Sequence, residues 1–100
     1  MARPPLRAEL IPVYTAVKRC VDAWDPMGLL AGGAPPDEYE CEIRMIAERI
    51  HPGDAPETIV KTVDEVFSKM FWPDYFGVEK CRDVAEKISA GLNELAERSL

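Results

Sequence analysis

Apolar residues recur every three or four positions along four stretches of this chain, and that spacing places them on one face of an α-helix. Short segments that contain proline separate the stretches, at residues 25–28, 51–53 and 72–77. Because the residue before a proline is disfavoured in helical geometry, helices tend to end at such segments. The pattern predicts four helices, over residues 10–24, 38–50, 55–71 and 78–98. Since no alternating strand pattern competes with it, we expect an all-α fold, a small bundle of about four helices.

The length of the chain is that of a single domain. One hydrophobic core commonly forms from 100 residues, and folding then buries roughly two-thirds of the unfolded surface without a metal or disulfide. Hydrophobic residues make up 47% and charged residues 30% of the chain, which is typical of a globular protein. We therefore expect one helical domain over residues 1–100, with a flexible N-terminal segment at residues 1–9.

The chain is acidic, with 18 Asp and Glu residues against 12 Lys and Arg residues and a formal net charge of −6. Binding to nucleic acid or to an anionic membrane needs clustered basic residues that displace counterions. We therefore expect neither nucleic acid nor membrane as a partner. An acidic surface favours solubility and can steer a basic protein toward it.

The cysteines and the N-terminus indicate a cytoplasmic protein. Cys20, Cys41 and Cys81 are odd in number and far apart, which is typical of reduced thiols rather than of a disulfide framework. The first residues carry no apolar segment of the kind found in signal peptides, and no stretch is long and apolar enough to cross a bilayer.

Residues 24–43 read W-D-P-M-G-L-L-A-G-G-A-P-P-D-E-Y-E-C-E-I and stand apart from the helical pattern. Asp25, Pro26 and Gly28 suit a type I turn, because proline presets φ and the Asp side chain can bond to backbone amides ahead of it. Asp37 and Glu40 have the spacing of a capping box at the start of the second helix, as do Asp54 and Glu57 at the start of the third. The segment thus predicts a turn, a Gly/Pro-rich loop and a fixed helix start.

The carboxylates of this segment allow a metal-site interpretation, and Cys41 allows a thiol-dependent one. The order D-E-Y-E-C-E is not an EF-hand loop, however, and acidic residues in a first helical turn are explained by capping and the helix dipole. Cys41 is predicted to point away from the core, but His51 is the only histidine and lies about 15 Å along the helix. We therefore expect no catalytic residue, no metal site and no cofactor.

A partner-binding surface is the remaining interpretation of the unusual residues. Aromatic residues lie at two helix–turn junctions, where they either close the ends of the bundle or stay partly exposed as anchors for a partner. An acidic edge at the start of the second helix would lie beside one of these junctions. The candidate partner-binding residues are Asp25, Glu38, Cys41, Glu42, Trp72 and Tyr75.

The block W-D-P-M-G-L-L followed by D-E-Y-E-C-E-I resembles the signature of the YugE-like family of small bacterial proteins that carry a domain of unknown function. Trp24, Asp25, Pro26 and the Gly28-Leu29-Leu30 run match its first part, and Asp37 to Glu40 with Glu42 match its second. The similarity is strongest over residues 17–50, extends to Phe71 and is weaker in the last helix. The resemblance implies an all-helical, cytoplasmic bacterial protein, and it implies no particular activity because none is assigned to the family. Similar blocks occur in short proteins that act by binding others, including immunity-type proteins.

These observations favour a non-enzymatic protein-interaction module that binds another protein or itself. The first alternative is a small metal-binding or thiol-dependent protein that uses the acidic helix start. The second is a homodimer in which the last helix, with its heptad-like apolar spacing, supplies the interface.

Overall fold

The fold consists of four α-helices joined by short connections, as seen in a computed structural model that describes residues 7–71 and 77–98. After a 3₁₀ turn at Ala8–Leu10, the chain forms α1 (Ile11–Trp24), α2 (Glu40–Arg49), α3 (Pro56–Met70) and α4 (Val78–Arg98). The described residues contain no strand. The all-α prediction is confirmed. Of the predicted flexible N-terminal segment, residues 1–6 lie outside the described residues.

Each helix packs against two others, so that α1, α2, α3 and α4 form a closed ring around one core. Helix α3 makes its most extensive contact with α4 and also packs on α2, because its buried residues cover a wide stripe of the helix surface. The radius of gyration is 13.1 Å, close to the ~13 Å of a compact 100-residue domain.

Phe67 of α3 lies at the centre of an aromatic cluster in this core. Its ring meets Trp24 edge-on with the centroids 5.2 Å apart, stacks on Phe71 at 5.8 Å, and lies 6.2 Å from the ring of Tyr39. Tyr39 is fully buried, whereas Trp24 and Phe71 are half-buried. Trp24 and Tyr39, the aromatic residues at the first helix–turn junction, therefore pack in the core and are not exposed as anchors for a partner.

The predicted capping boxes are wrong. Helix α2 begins at Glu40 after an N-cap, Tyr39, that makes no side-chain cap hydrogen bond. Consecutive turns precede it, in which Glu38 N donates to the oxygen of Pro35 and Glu40 N to the oxygen of Asp37. Because Tyr39 must enter the core, the chain approaches the helix through these turns and Asp37 remains exposed.

Asp54 and Glu57, the second predicted capping box, do not cap α3 and make other contacts instead. Asp54 accepts a hydrogen bond from the backbone N–H of His51 at 2.9 Å and so closes the turn between α2 and α3. Helix α3 begins with Pro56, whose missing N–H needs no cap. Glu57 reaches across to α4 and pairs with Arg82 at 2.7 Å.

Candidate functional site

Asp25 ends α1 in a left-handed conformation, with φ 42° and ψ 59°, and is the one non-glycine residue with positive φ among the described residues. Asp and Asn adopt this region more readily than other side chains because their short polar groups bond locally. The Asp25 N–H still donates to Val21 O at 2.8 Å, so the helix closes normally before the chain turns. The turn leads directly into the segment that the sequence singled out.

The Asp25 carboxylate holds this segment through three hydrogen bonds. Its Oδ1 accepts the Tyr39 hydroxyl at 2.6 Å and the Leu30 N–H at 3.1 Å, while Oδ2 accepts the Ala31 N–H at 3.0 Å. The Tyr39 hydroxyl, together with these backbone amides, lowers the pKa of the carboxyl below its ordinary value. One side chain therefore joins the end of α1, the loop and the start of α2.

Tyr39 is the second member of this network. Its hydroxyl donates to Asp25 and accepts the Met27 N–H at 3.1 Å, so both functions of the hydroxyl are used. Burial, reinforced by the bond to the Asp25 carboxylate, raises the pKa of Tyr39 to about 12. The hydroxyl thus stays neutral and remains a donor throughout the ordinary pH range.

Backbone hydrogen bonds give the loop a fixed internal structure. The Gly28 N–H donates to Asp25 O at 2.9 Å, which closes the predicted turn, and the Ala34 N–H donates to Leu29 O at 2.9 Å. Gly28 and Gly33 have φ of 66° and 96°, which favour glycine because it lacks Cβ. Leu29 is half-buried against the core. The Gly/Pro-rich composition therefore encodes a defined set of turns.

Lys18 fixes the far end of the loop. Its Nζ donates to the carbonyl oxygen of Pro36 at 2.9 Å and to Asp22 Oδ2 at 2.8 Å, and the hydrogen bond to Asp22 raises the pKa of the ammonium group. The loop is thus attached to α1 at both ends. Nothing in the local spacing of the sequence indicated this role for Lys18.

The outer part of the loop, residues 31–38, forms an exposed surface that we call the loop tip. All of its residues are exposed except Ala34, which is half-buried. Asp37 and Glu38 supply two adjacent exposed carboxylates. The loop tip is thus an acidic surface, and hydrogen bonds between the loop backbone and the side chains of Asp25 and Lys18 fix its position.

The structure describes four of the six predicted partner-binding residues, and these four do not form one exposed surface. Asp25 is half-buried and committed to the loop network, and Glu38 is exposed on the loop tip. Cys41 is half-buried rather than exposed. Trp72 and Tyr75 lie outside the described residues.

Glu42 was predicted to lie on an outward-facing acidic edge. This prediction is wrong, because Glu42 is only 5% exposed. It follows Tyr39 by three positions and precedes Ile46 by four, and such spacings place residues on the same side of a helix. Tyr39 and Ile46 are both fully buried. The spacing therefore contained the signal that Glu42 faces inward.

The described residues offer no assembled metal site, since no group of three or more His, Cys, Asp or Glu side chains among them is placed to hold an ion. Cys81, in the core, has a pKa raised to about 11, chiefly by burial. Cys20 is half-buried and its pKa is also raised by burial. No helix within residues 7–71 and 77–98 has the length and apolar character needed to cross a membrane.

Of three comparisons with known proteins, one finds a match, and that match is to a family model. Comparisons with curated proteins and with solved structures find no match. The model of a domain of unknown function, DUF1871, matches residues 16–92 and so includes α2, α3, the loop and most of α1 and α4. The chain belongs to the DUF1871 family.

Proposed function

We propose that this protein is a non-enzymatic protein-interaction module whose loop tip, residues 31–38, contacts the partner. The observation that carries the proposal is the Asp25 network, in which a buried tyrosine and a carboxylate hold an otherwise exposed loop in one conformation. Binding loops on rigid scaffolds are a common arrangement in proteins that recognise others.

A fixed loop favours binding because less conformational entropy is lost when the complex forms. The loop tip contains glycine and proline residues that would otherwise sample many conformations in solution. Its hydrogen bonds to Asp25 and Lys18 hold the segment before a partner arrives. The conformational entropy of the loop is lost when the protein folds. Contacts between the loop tip and a partner therefore do not have to offset this loss when the complex forms.

The charge of the loop tip favours a partner with a basic surface. Asp37 and Glu38 are adjacent and exposed, and the whole chain carries a net charge of −6. Complementary charge accelerates association and discriminates against acidic partners. Within this proposal the protein acts in the bacterial cytoplasm in a regulatory or immunity-type role, as its likeness to the YugE-like group implies, and it binds neither nucleic acid nor membranes.

The test compares capture of proteins from a lysate of the native host by two charge-reversed forms. Asp37→Lys/Glu38→Lys alters the loop tip, and Glu86→Lys/Glu97→Lys makes the same change in net charge at exposed positions of α4. Glu42 is unsuitable because reversing a buried charge would disturb folding. Bound proteins are quantified by mass spectrometry, and purified candidates are titrated by calorimetry.

We expect a protein that wild type and the α4 variant capture equally and bind directly with micromolar or tighter affinity, and that the loop-tip variant neither captures nor binds. Equal capture by all three forms, or no specific capture by any of them, would contradict the proposal. Melting curves of both variants establish that they remain folded, so that a loss of capture reports on the surface.

A further inference from the structure

A groove of about 480 Å³ runs between α1 and α4, on a part of the surface that excludes the loop tip. Its floor consists of small residues: a methyl group placed on Gly91 would lie 3.6 Å from Cβ of Ala16. Lys87 lies near Cys20, and Leu95 lines a cavity with Pro12. These pairings show that the two helices run antiparallel along the groove.

Opposite charges lie at the two ends of this groove. Arg19 follows Ala16 by three residues, and Glu94 follows Gly91 by three residues. Because the helices are antiparallel, the two charges lie on opposite sides of the groove centre, each displaced by about 4.5 Å along its helix. Both residues are exposed and line the groove.

An exposed apolar residue completes the pattern. Ile11 lines the same groove at the Glu94 end and is 50% exposed, the largest exposure among the large hydrophobic residues described. Ile11, Thr15 and Arg19 are spaced by four and are all exposed, so they form one ridge along α1 beside the groove.

We propose that this groove binds a second copy of the chain, as a two-fold symmetric dimer in which the α1 ridge of each copy packs into the groove of the other. A two-fold axis near Thr15 brings Arg19 against the partner's Glu94, and the reverse contact follows from symmetry. The same operation places Ile11 over the partner's Cys20, which is half-buried in the groove. The two charged residues and the exposed isoleucine thus each meet a complementary residue of the second copy.

This interface differs from the one predicted from sequence. The heptad-like stripe of α4, which suggested a coiled-coil dimer, is buried in the core of the single chain, since Cys81, Ala85, Ile88 and Leu92 are at most 1% exposed. Within that stripe only Leu95 is partly exposed, and it lines the groove. The small residues Ala16, Ala90 and Gly91 instead leave room for another helix to approach closely.

The test uses charge reversal and restoration in the full chain. Sedimentation velocity over a wide range of concentrations measures the dimer dissociation constant for wild type, Arg19→Glu, Glu94→Arg and the double variant Arg19→Glu/Glu94→Arg. Each single reversal acts at two symmetric contacts, so we expect at least about tenfold weaker dimers. The double variant restores opposite charges at both contacts and is expected to recover wild-type affinity. Lys61→Glu and Glu86→Arg are controls at exposed positions outside the groove.

A cross-link at the proposed axis gives an independent measurement. Thr15→Cys in a Cys20→Ser background is expected to form an intermolecular disulfide on mild oxidation, and the Cys20→Ser chain alone is not. A wild-type monomer at every concentration would overturn the proposal, as would a dimer that responds equally to groove and control variants. Single reversals without recovery in the double variant would point to a different occupant, such as another protein or an amphiphile, and would also overturn it. The loop-tip variant is expected to dimerise normally, so this test and that of the proposed function fail separately.

Discussion

Replacing Tyr39 by Phe removes one hydroxyl and leaves the rest of the core in place. The ring of Tyr39 is fully buried beside Phe67, and phenylalanine fills the same space. The substitution therefore isolates the hydrogen bonds to Asp25 and from Met27. It tests whether these bonds hold the loop or merely accompany it.

The magnitude follows from the two bonds that the hydroxyl makes. A hydrogen bond to a charged group contributes about 1.5–3 kcal/mol, and a buried donor left without an acceptor costs about 1–3 kcal/mol. Because Asp25 and Met27 are only half-buried, we expect solvent to replace part of both interactions in the variant. We expect Tyr39→Phe to lower the free energy of unfolding by about 2 kcal/mol, which corresponds to a fall of about 10 °C in melting temperature.

Urea denaturation followed by circular dichroism measures this change at neutral pH, with Tyr14→Phe as the control. Tyr14 is half-buried on α1 and lies outside the Asp25 network. We expect the control to change stability by less than about 0.5 kcal/mol. If Tyr39→Phe is equally neutral, the network does not stabilise the fold, and the reasoning on loop anchoring is refuted.

The pH dependence of the difference between wild type and Tyr39→Phe provides a further check. The folded pKa of Tyr39 is raised to about 12 from an ordinary 10, so its contribution is complete below pH 10 and is lost as the pH rises toward 12. The folded pKa of Asp25 is lowered, so its contribution is complete above its unfolded value of about 4 and is lost as the pH falls through the folded pKa. We expect a constant difference between these limits and a decline outside them.

Three other substitutions test the account of the fold by urea denaturation. Phe67→Ala leaves a cavity at the centre of the aromatic cluster and is expected to cost about 3–5 kcal/mol; a loss below 1 kcal/mol would contradict the packing described. Gly53→Ala places a Cβ at φ 95° and is expected to cost about 1–2 kcal/mol, whereas Gly77→Ala, without a positive φ, serves as its neutral control. Asp37→Ala is expected to change stability by less than about 0.5 kcal/mol, and a loss near 1 kcal/mol would show that Asp37 caps α2 after all.

The helices could be predicted from the sequence because their signals are local. Periodic apolar residues and prolines set α1, α3 and α4 to within one residue of the predicted ends, and α4 matches at both. The start of α2 was predicted two residues early, because the D-x-x-E spacing suggested a cap at Asp37. Burial of Tyr39 decides that region instead, and a local pattern carries no information on where a side chain goes in the fold.

The candidate site was only partly visible in the sequence. The segment was predicted to contain a turn at Asp25, and this turn is confirmed by the Gly28 N–H bond to the Asp25 carbonyl. The bond between Asp25 and Tyr39 joins residues 14 positions apart, and helical periodicity cannot indicate such a pairing. Lys18 was missed for the same reason, since its contact with Pro36 depends on how the loop folds back over α1.

Amide hydrogen exchange at Leu30 and Ala31 tests the central claim, that the Asp25 network holds the loop in one conformation, most directly. Both N–H groups donate to the Asp25 carboxylate, although Ala31 is exposed. We expect both amides to exchange much more slowly than in an unstructured peptide, and Tyr39→Phe to accelerate their exchange while the amides of α3 stay protected. Rapid exchange of both amides in the wild-type protein would show that the loop is open in solution and would contradict the account.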